Sequence, residues 1–156
     1  MSEETTMTEQ PRNIQAGKGE AQFNRIVGWL TAHGISLYGS RILAVRGRKS
    51  GEWRTNPANP LTVDDHRYLV APRGHTQWVR NLRVHGAGEL RLGRKAEAFT
   101  AVEMADTNKV PVLREYLRKW GWEVGRFFEG VTATADDDTL RRIAPDFPVF
   151  EITITK

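Results

Sequence analysis

The 156-residue chain predicts a mainly β domain with flanking helices, its antiparallel strands closed into a barrel. Three observations predict it. Apolar residues recur with period two over several short segments, polar turns of a few residues join those segments, and the C-terminal stretch Val149-Phe150-Glu151-Ile152-Thr153-Ile154-Thr155 alternates strictly. Strands joined by short turns pair antiparallel, and this many in so small a chain are expected to close on themselves.

In order, residues 1–19 are polar with no apolar period and read as a flexible tail, leaving 20–156 as one domain. From Phe23, apolar residues at Ile26, Val27 and Leu30 follow the 3.6 period, and Gly34 is a plausible stop, so an amphipathic helix is expected there. Ile42-Leu43-Ala44-Val45 is the first strand. Beyond a basic turn, Arg54-Thr55-Asn56 and Leu61-Thr62-Val63 form the next, which Pro57 and Pro60 confine to an edge or a bulge. Asp64-Asp65-His66 turns the chain into Arg67-Tyr68-Leu69-Val70-Ala71. Gly93-Arg94-Lys95 joins Glu89–Leu92 to Ala96–Val102 as a hairpin. The period returns to helical from Thr107 to Trp120 through Val110, Leu113, Tyr116 and Leu117, with Pro111 acceptable in the first turn. A short helix is expected from Asp136 to Ile143, started by a capping-box-like Thr134 and Asp137 and stopped by Pro145.

Composition narrows the function. Hydrophobic residues make up 39% and charged residues 27%, which is globular, and no apolar run approaches bilayer length. No secretory leader is evident and there is no cysteine, which excludes disulfides, thiolate zinc sites and cysteine-ligated clusters and makes the cytoplasm the default address. The net charge of +4 suits an anionic partner, whether a small polyanionic cofactor or the anionic face of a membrane touched peripherally. Nucleic acid is not indicated, because the basic residues are spread along the chain.

Two loops carry the chemistry. Gly47-Arg48-Lys49-Ser50-Gly51, with Arg54 behind it, places three permanent cations on a tight turn whose glycines let the backbone approach a ligand. A solvated hairpin turn reads the same way. Pro72-Arg73-Gly74-His75-Thr76-Gln77 repeats the design after a buried strand and leads into Trp78-Val79-Arg80-Asn81-Leu82. Two such loops at strand ends could face one another across a groove, with Trp78 as a flat apolar surface. Ser50 follows two cations and fits no nucleophile elbow, nor is the first loop a P-loop. The four histidines lack metal-site spacing, so no metal is expected. Trp120, Trp122, Phe127 and Phe128, interrupted by Gly121 and Gly125, read first as core, and second as a mobile lid offering an aromatic wall to a flat substrate.

Taken together, the first loop with Arg54, Asn56-Pro57, the strand Tyr68-Leu69-Val70-Ala71, and Trp78 with Asn81-Leu82 make the chain resemble the deazaflavin-dependent oxidoreductases. These form the nitroreductase-type family of the flavin-binding split β-barrel superfamily, found in actinobacteria, and the resemblance runs from about Ile42 to Val102. It implies a six-stranded antiparallel split barrel holding coenzyme F-420 (F420), an 8-hydroxy-5-deazaflavin with a phosphate-bearing oligoglutamate tail. By that resemblance Gly47, Arg48, Lys49, Ser50 and Arg54 hold the phosphate and the start of the tail. Arg73 and Gly74 frame the second loop, Val70, Ala71 and Pro72 line the ring, and Trp78 and Asn81 support the pocket. Asn59, Trp120, Trp122, Phe127 and Phe128 fall to the substrate.

The implied reaction is hydride transfer from the reduced deazaflavin to a conjugated electron-poor molecule such as a quinone, an enone or a nitro-aromatic. No side chain is needed as a nucleophile, so no strict catalytic residue is assigned. Where many members carry large apolar residues after Asn56-Pro57, this chain has Ala58-Asn59-Pro60, and its late segment offers Trp and Phe where some members present tyrosine hydroxyls. An FMN enzyme of the same superfamily is the nearest alternative. A non-enzymatic module for a lipid or apolar anion is the rival of another class, and split-barrel relatives often form homodimers.

Overall fold

The computed structural model describes residues 40–155; the expected tail and the expected helix between Phe23 and Gly34 lie outside them. The described elements run β1 (Arg41–Arg46), β2 (Trp53–Ala58), β3 (Leu61–Val63), β4 (His66–Val70), α1 (Gln77–His85), β5 (Ala87–Leu92), β6 (Lys95–Glu103), α2 (Val110–Val124), α3 (Asp137–Ile143) and β7 (Val149–Ile154). One sheet holds all seven strands in the order β2-β1-β5-β6-β7-β4-β3, every pair antiparallel. None of the described helices is long and apolar enough to cross a membrane.

The two end strands are one kinked stretch of chain. Only Asn59 and Pro60 separate β2 from β3, so residues 53–63 pair with β1 in their first half (Arg46↔Trp53 to Arg41↔Ala58) and with β4 in their second (Leu61↔Tyr68). This closes the curled sheet into a split barrel. Six strands are expected and seven observed because Pro60, which has no N–H to donate, falls where the ladder changes partner.

Period-two alternation then builds two cores. Leu43 and Val45 of β1, Leu69 of β4, Leu90, Phe99, and Phe150 and Ile152 of β7 fill one face together with Val79 and Leu82 of α1. Tyr68, Val70 and Val149 face the other way, under Val112, Leu113, Tyr116, Leu117 and Trp120 of α2, with Leu140 of α3. Phe128 and Phe147 stack there with centroids 4.0 Å apart. Full burial of each large apolar side chain contributes about 1.5–3 kcal/mol, so the two layers hold the barrel from both faces.

The helices depart from expectation in three places. A 3-10 turn at Asp106–Asn108 delays α2 to Val110, with Pro111 in the first turn as expected. The buried Lys109 before it donates from Nζ to the Ala144 carbonyl at 3.0 Å and pairs with Asp106 at 2.6 Å, so it ties α2 to the segment after α3. The cap of α3 is Asp136, whose Oδ1 accepts from the Thr139 amide at 2.8 Å; Thr134 lies two residues short of that position. Finally, Gln77–His85, read as the continuation of a loop, is helical.

Gly88 marks the closest approach within the sheet. A Cβ there would lie 2.7 Å from the Ala44 carbonyl oxygen of β1 and 2.8 Å from the Phe99 ring. Gly88→Ala is therefore expected to destabilise the protein by about 1–3 kcal/mol through overpacking. A thermal melt should fall by about 2–4 °C per kcal/mol for a domain of this size; an unchanged midpoint would show that β1 and β5 can spread.

Burial raises the Tyr116 phenol well above its usual range, Glu123 adds to the rise, and a hydrogen bond with Asn59 opposes it. Since only the unfolded chain ionises at its ordinary pKa of about 10, stability should hold below that pH and decline above it. Chemical denaturation between pH 9 and 11 should show this decline, with a shallower slope in Tyr116→Phe.

Candidate functional site

The first loop folds as a tight turn between β1 and β2. The Gly51 amide donates to the Gly47 carbonyl at 2.9 Å, the Gly47 amide to the Glu52 carbonyl at 2.7 Å, and Gly51 takes φ +73°. That positive φ is the reason for glycine at its end. Ser50 Oγ accepts the Glu52 amide at 3.1 Å, so the hydroxyl serves the turn.

Beside the turn opens a cleft of about 800 Å³ lined by Gly47, Arg48, Lys49 and Ser50, by Trp53, Arg54, Thr55 and Asn56 of β2, and by Gln77, Trp78 and Asn81 of α1. Register explains why β2 contributes from both faces. Arg54 and Asn56 stand opposite Val45 and Leu43, on the face of the inner core, whereas Trp53 stands opposite Arg46. The Arg46 guanidinium lies 4.2 Å and that of Arg91 5.0 Å from the Trp53 ring centre, so cation–π contacts hold this half-exposed indole at the rim. Trp78 leans on Phe150, with centroids 6.1 Å apart.

The three expected cations differ in freedom. Arg48 Nη1 donates to Gln77 Oε1 and to Asn81 Oδ1, both at 2.8 Å, and the Arg48 amide donates to the same Asn81 oxygen at 3.0 Å. Lys49 and Arg54 are exposed and have no hydrogen bond or ion pair among the described residues. One oriented guanidinium and two cations unpaired among the described residues, at the mouth of a cleft with indole walls, have the chemistry to take an anion attached to a flat apolar group.

Of the second loop only its last residue, Gln77, reaches this cleft. Its strand, β4, sends Val70 into the core under α2 and Ala71 into the inner core. Pro72 and Gly74 shape the exit turn, where the Gly74 amide donates to the Ala71 carbonyl at 3.2 Å. The Arg73 guanidinium lies 4.8 Å from the centre of the Phe127 ring. Arg80 Nε donates to the His75 carbonyl at 3.1 Å, which turns that cation back onto its own loop. The helix after the loop takes its place, because Gln77, Trp78 and Asn81 share the α1 face that meets the first loop.

The late aromatics divide. Trp120, Phe127 and Phe128 are buried in the core under α2, and only Trp122, 64% exposed, faces outward. The segment is no loose lid: α2 runs through Gly121 to Val124, and a 3-10 turn follows from Gly125 to Phe128. Asn59 is tied to Glu123 by a hydrogen bond from Nδ2 to Oε2.

Trp53, Thr55, Asn56 and Gln77 line the cleft without having been singled out as ligand contacts from the sequence. A signal for Gln77 exists. It precedes Asn81 by four residues, and Val79 with Leu82 at helical spacing before Gly86, which takes φ +64°, marks the segment as a helix.

Comparison with known proteins follows the same line. The family model of the F420H(2)-dependent quinone reductases matches residues 20–124. No curated protein sequence matches the chain. Among solved structures, a protein of unknown function from Agrobacterium tumefaciens is similar with a TM-score of 0.54 and 12% identity, over 94% of this chain and 60% of that one. This chain thus spans less than two thirds of that protein. A domain-swapped dimer is similar with a TM-score of 0.52 and 18% identity, over 85% of this chain and 95% of the other. An F420-H2 dependent reductase aligns with a TM-score of 0.49 and 16% identity over 74% of this chain and 94% of its own. At such identities structural likeness speaks for the fold, and it is the family model, spanning the basic turn, the cleft and all of α2, that carries identity. The chain belongs to the F420H(2)-dependent quinone reductase family, whose coenzyme is F420.

Proposed function

We propose that this protein reduces a conjugated, electron-poor small molecule, a quinone in the first place, with the coenzyme bound in the cleft between the Gly47–Gly51 turn and α1. The observation that carries this reading is the pairing of free Lys49 and Arg54 with the oriented Arg48 around an 800 Å³ cleft walled by Trp53 and Trp78. The donor set fits the coenzyme, since guanidinium and ammonium groups bind phosphate and carboxylate oxygens and indoles bind flat rings.

When bound, reduced F420 supplies a hydride from its deazaflavin ring. The chain's own residues bind and orient. Arg48, Lys49 and Arg54 hold the anionic tail, and the backbone of Gly47 and Ser50 shapes the turn around it. Trp78, at the start of α1, serves the ring, with Val70, Ala71, Pro72, Arg73 and Gly74 setting the course of the junction between β4 and α1. Trp122 and Asn59 are the late-segment and β2–β3 candidates for contact with substrate. No side chain is asked to act as a nucleophile, and Ser50 is occupied within its turn.

The test is a titration of oxidised F420 into the protein, followed by coenzyme fluorescence, with FMN as competitor. Replacing Arg48 and Lys49 together by alanine should weaken binding by about a hundredfold or more, since each charge-assisted hydrogen bond contributes about 1.5–3 kcal/mol, roughly tenfold to a hundredfold apiece. Undiminished affinity in that variant, or tighter binding of FMN than of F420 by the wild type, would overturn the assignment. Quinone reduction by F420H2 should fall in parallel with coenzyme affinity.

A further inference from the structure

We propose that Gln77 and His85 are positioning residues which, with Asn81, set the direction in which Arg48 presents its charge; the inference rests on the coenzyme reading above. The three side chains lie at i, i+4 and i+8, on one face of α1. All three grip the same two residues of the first loop. Gln77 Oε1 and Asn81 Oδ1 accept from Arg48 Nη1, Asn81 Oδ1 also accepts from the Arg48 amide, and His85 Nε2 bonds the Gly47 carbonyl at 3.2 Å. Because a carbonyl only accepts, that histidine nitrogen carries the proton.

A guanidinium has five N–H donors in a rigid fork. Here the two on Nη1 are used by α1, so the edge formed by Nε and Nη2 remains for a planar or tetrahedral oxyanion. The helix that imposes this is itself anchored, since Val79 and Leu82 on its other face are 0% and 1% exposed in the inner core. Neither Gln77 nor His85 is needed to build that core, as both are exposed. Their shared geometry is accounted for by the loop they hold.

The experiment compares wild type with Gln77→Leu, His85→Leu and His85→Gln, using two probes: oxidised F420 and the same deazaflavin lacking its phosphate-bearing tail. The two leucine variants should lose about tenfold in affinity for the tailed coenzyme, the equivalent of one hydrogen bond to a charged or oriented group, and His85→Leu, outside the cleft lining, should keep wild-type affinity for the tail-less ring. His85→Gln, whose amide can donate to the Gly47 carbonyl, should recover most of the loss. In the ligand-free protein, amide hydrogen exchange across residues 47–51 should quicken in His85→Leu and return toward wild type in His85→Gln. Equal losses for both probes, or none for the tailed one, would overturn the positioning role. Wild-type protein that binds neither probe would overturn the coenzyme reading, while the exchange measurement would still decide whether α1 orders the loop.

Discussion

The cleft depends on one helix with two unlike faces. α1 is nine residues long, too short to be stable alone, and it persists because Val79 and Leu82 are buried among Leu43, Leu69, Phe99 and Phe150. That burial fixes the opposite face, where Gln77, Asn81 and His85 meet the Gly47–Arg48 segment. The loop carrying the cations is therefore referenced to the barrel core, and a permanently charged side chain is held still in a place where water would otherwise leave it free. Orientation before binding is worth affinity, since the ordering cost is met on folding.

The barrel gives that helix a rigid seat by using both faces of its strands. In β4 and β7 successive residues enter different cores, so neither strand can slip by one position without moving aromatic and aliphatic side chains into the wrong layer. The kinked 53–63 stretch ends the sheet on both sides and joins them. Its first half is consequently free on one edge, beside the cleft, and there it presents Arg54 and Asn56 on one face and Trp53 on the other. Cations are arranged by the same economy of position: Arg46 and Arg91 stack on Trp53, Arg73 on Phe127, and Arg83 is paired with Glu103 at 2.7 Å. Among the described residues that leaves Lys49 and Arg54 as open charges at the rim.

Much of this was legible in one dimension. Strand segments announced themselves by period two, α2 by the spacing of Val110, Leu113, Tyr116 and Leu117, and the basic turn by glycines flanking Arg48 and Lys49. The kink at Pro57 and Pro60 was legible as an edge or bulge, although its role in closing the barrel was not. Asn81 was picked out by its motif, yet its task, accepting two bonds from Arg48, needed a partner 33 residues away. The aromatic run after Trp120 was ambiguous because core and lid have the same composition; burial of Trp120, Phe127 and Phe128 separates them from Trp122.

By itself, then, the sequence determined local conformation, the alternation that assigns side chains to faces, and the chemical character of the first loop, all of which arise from interactions between near neighbours. Tertiary structure alone decided which charges are free, which wall faces them and which strand ends share a cleft. Those outcomes are set by contacts between residues far apart in the chain. Arg73 and Lys49 look equivalent as letters, and only packing sends one onto a phenylalanine ring and leaves the other at the mouth of the site.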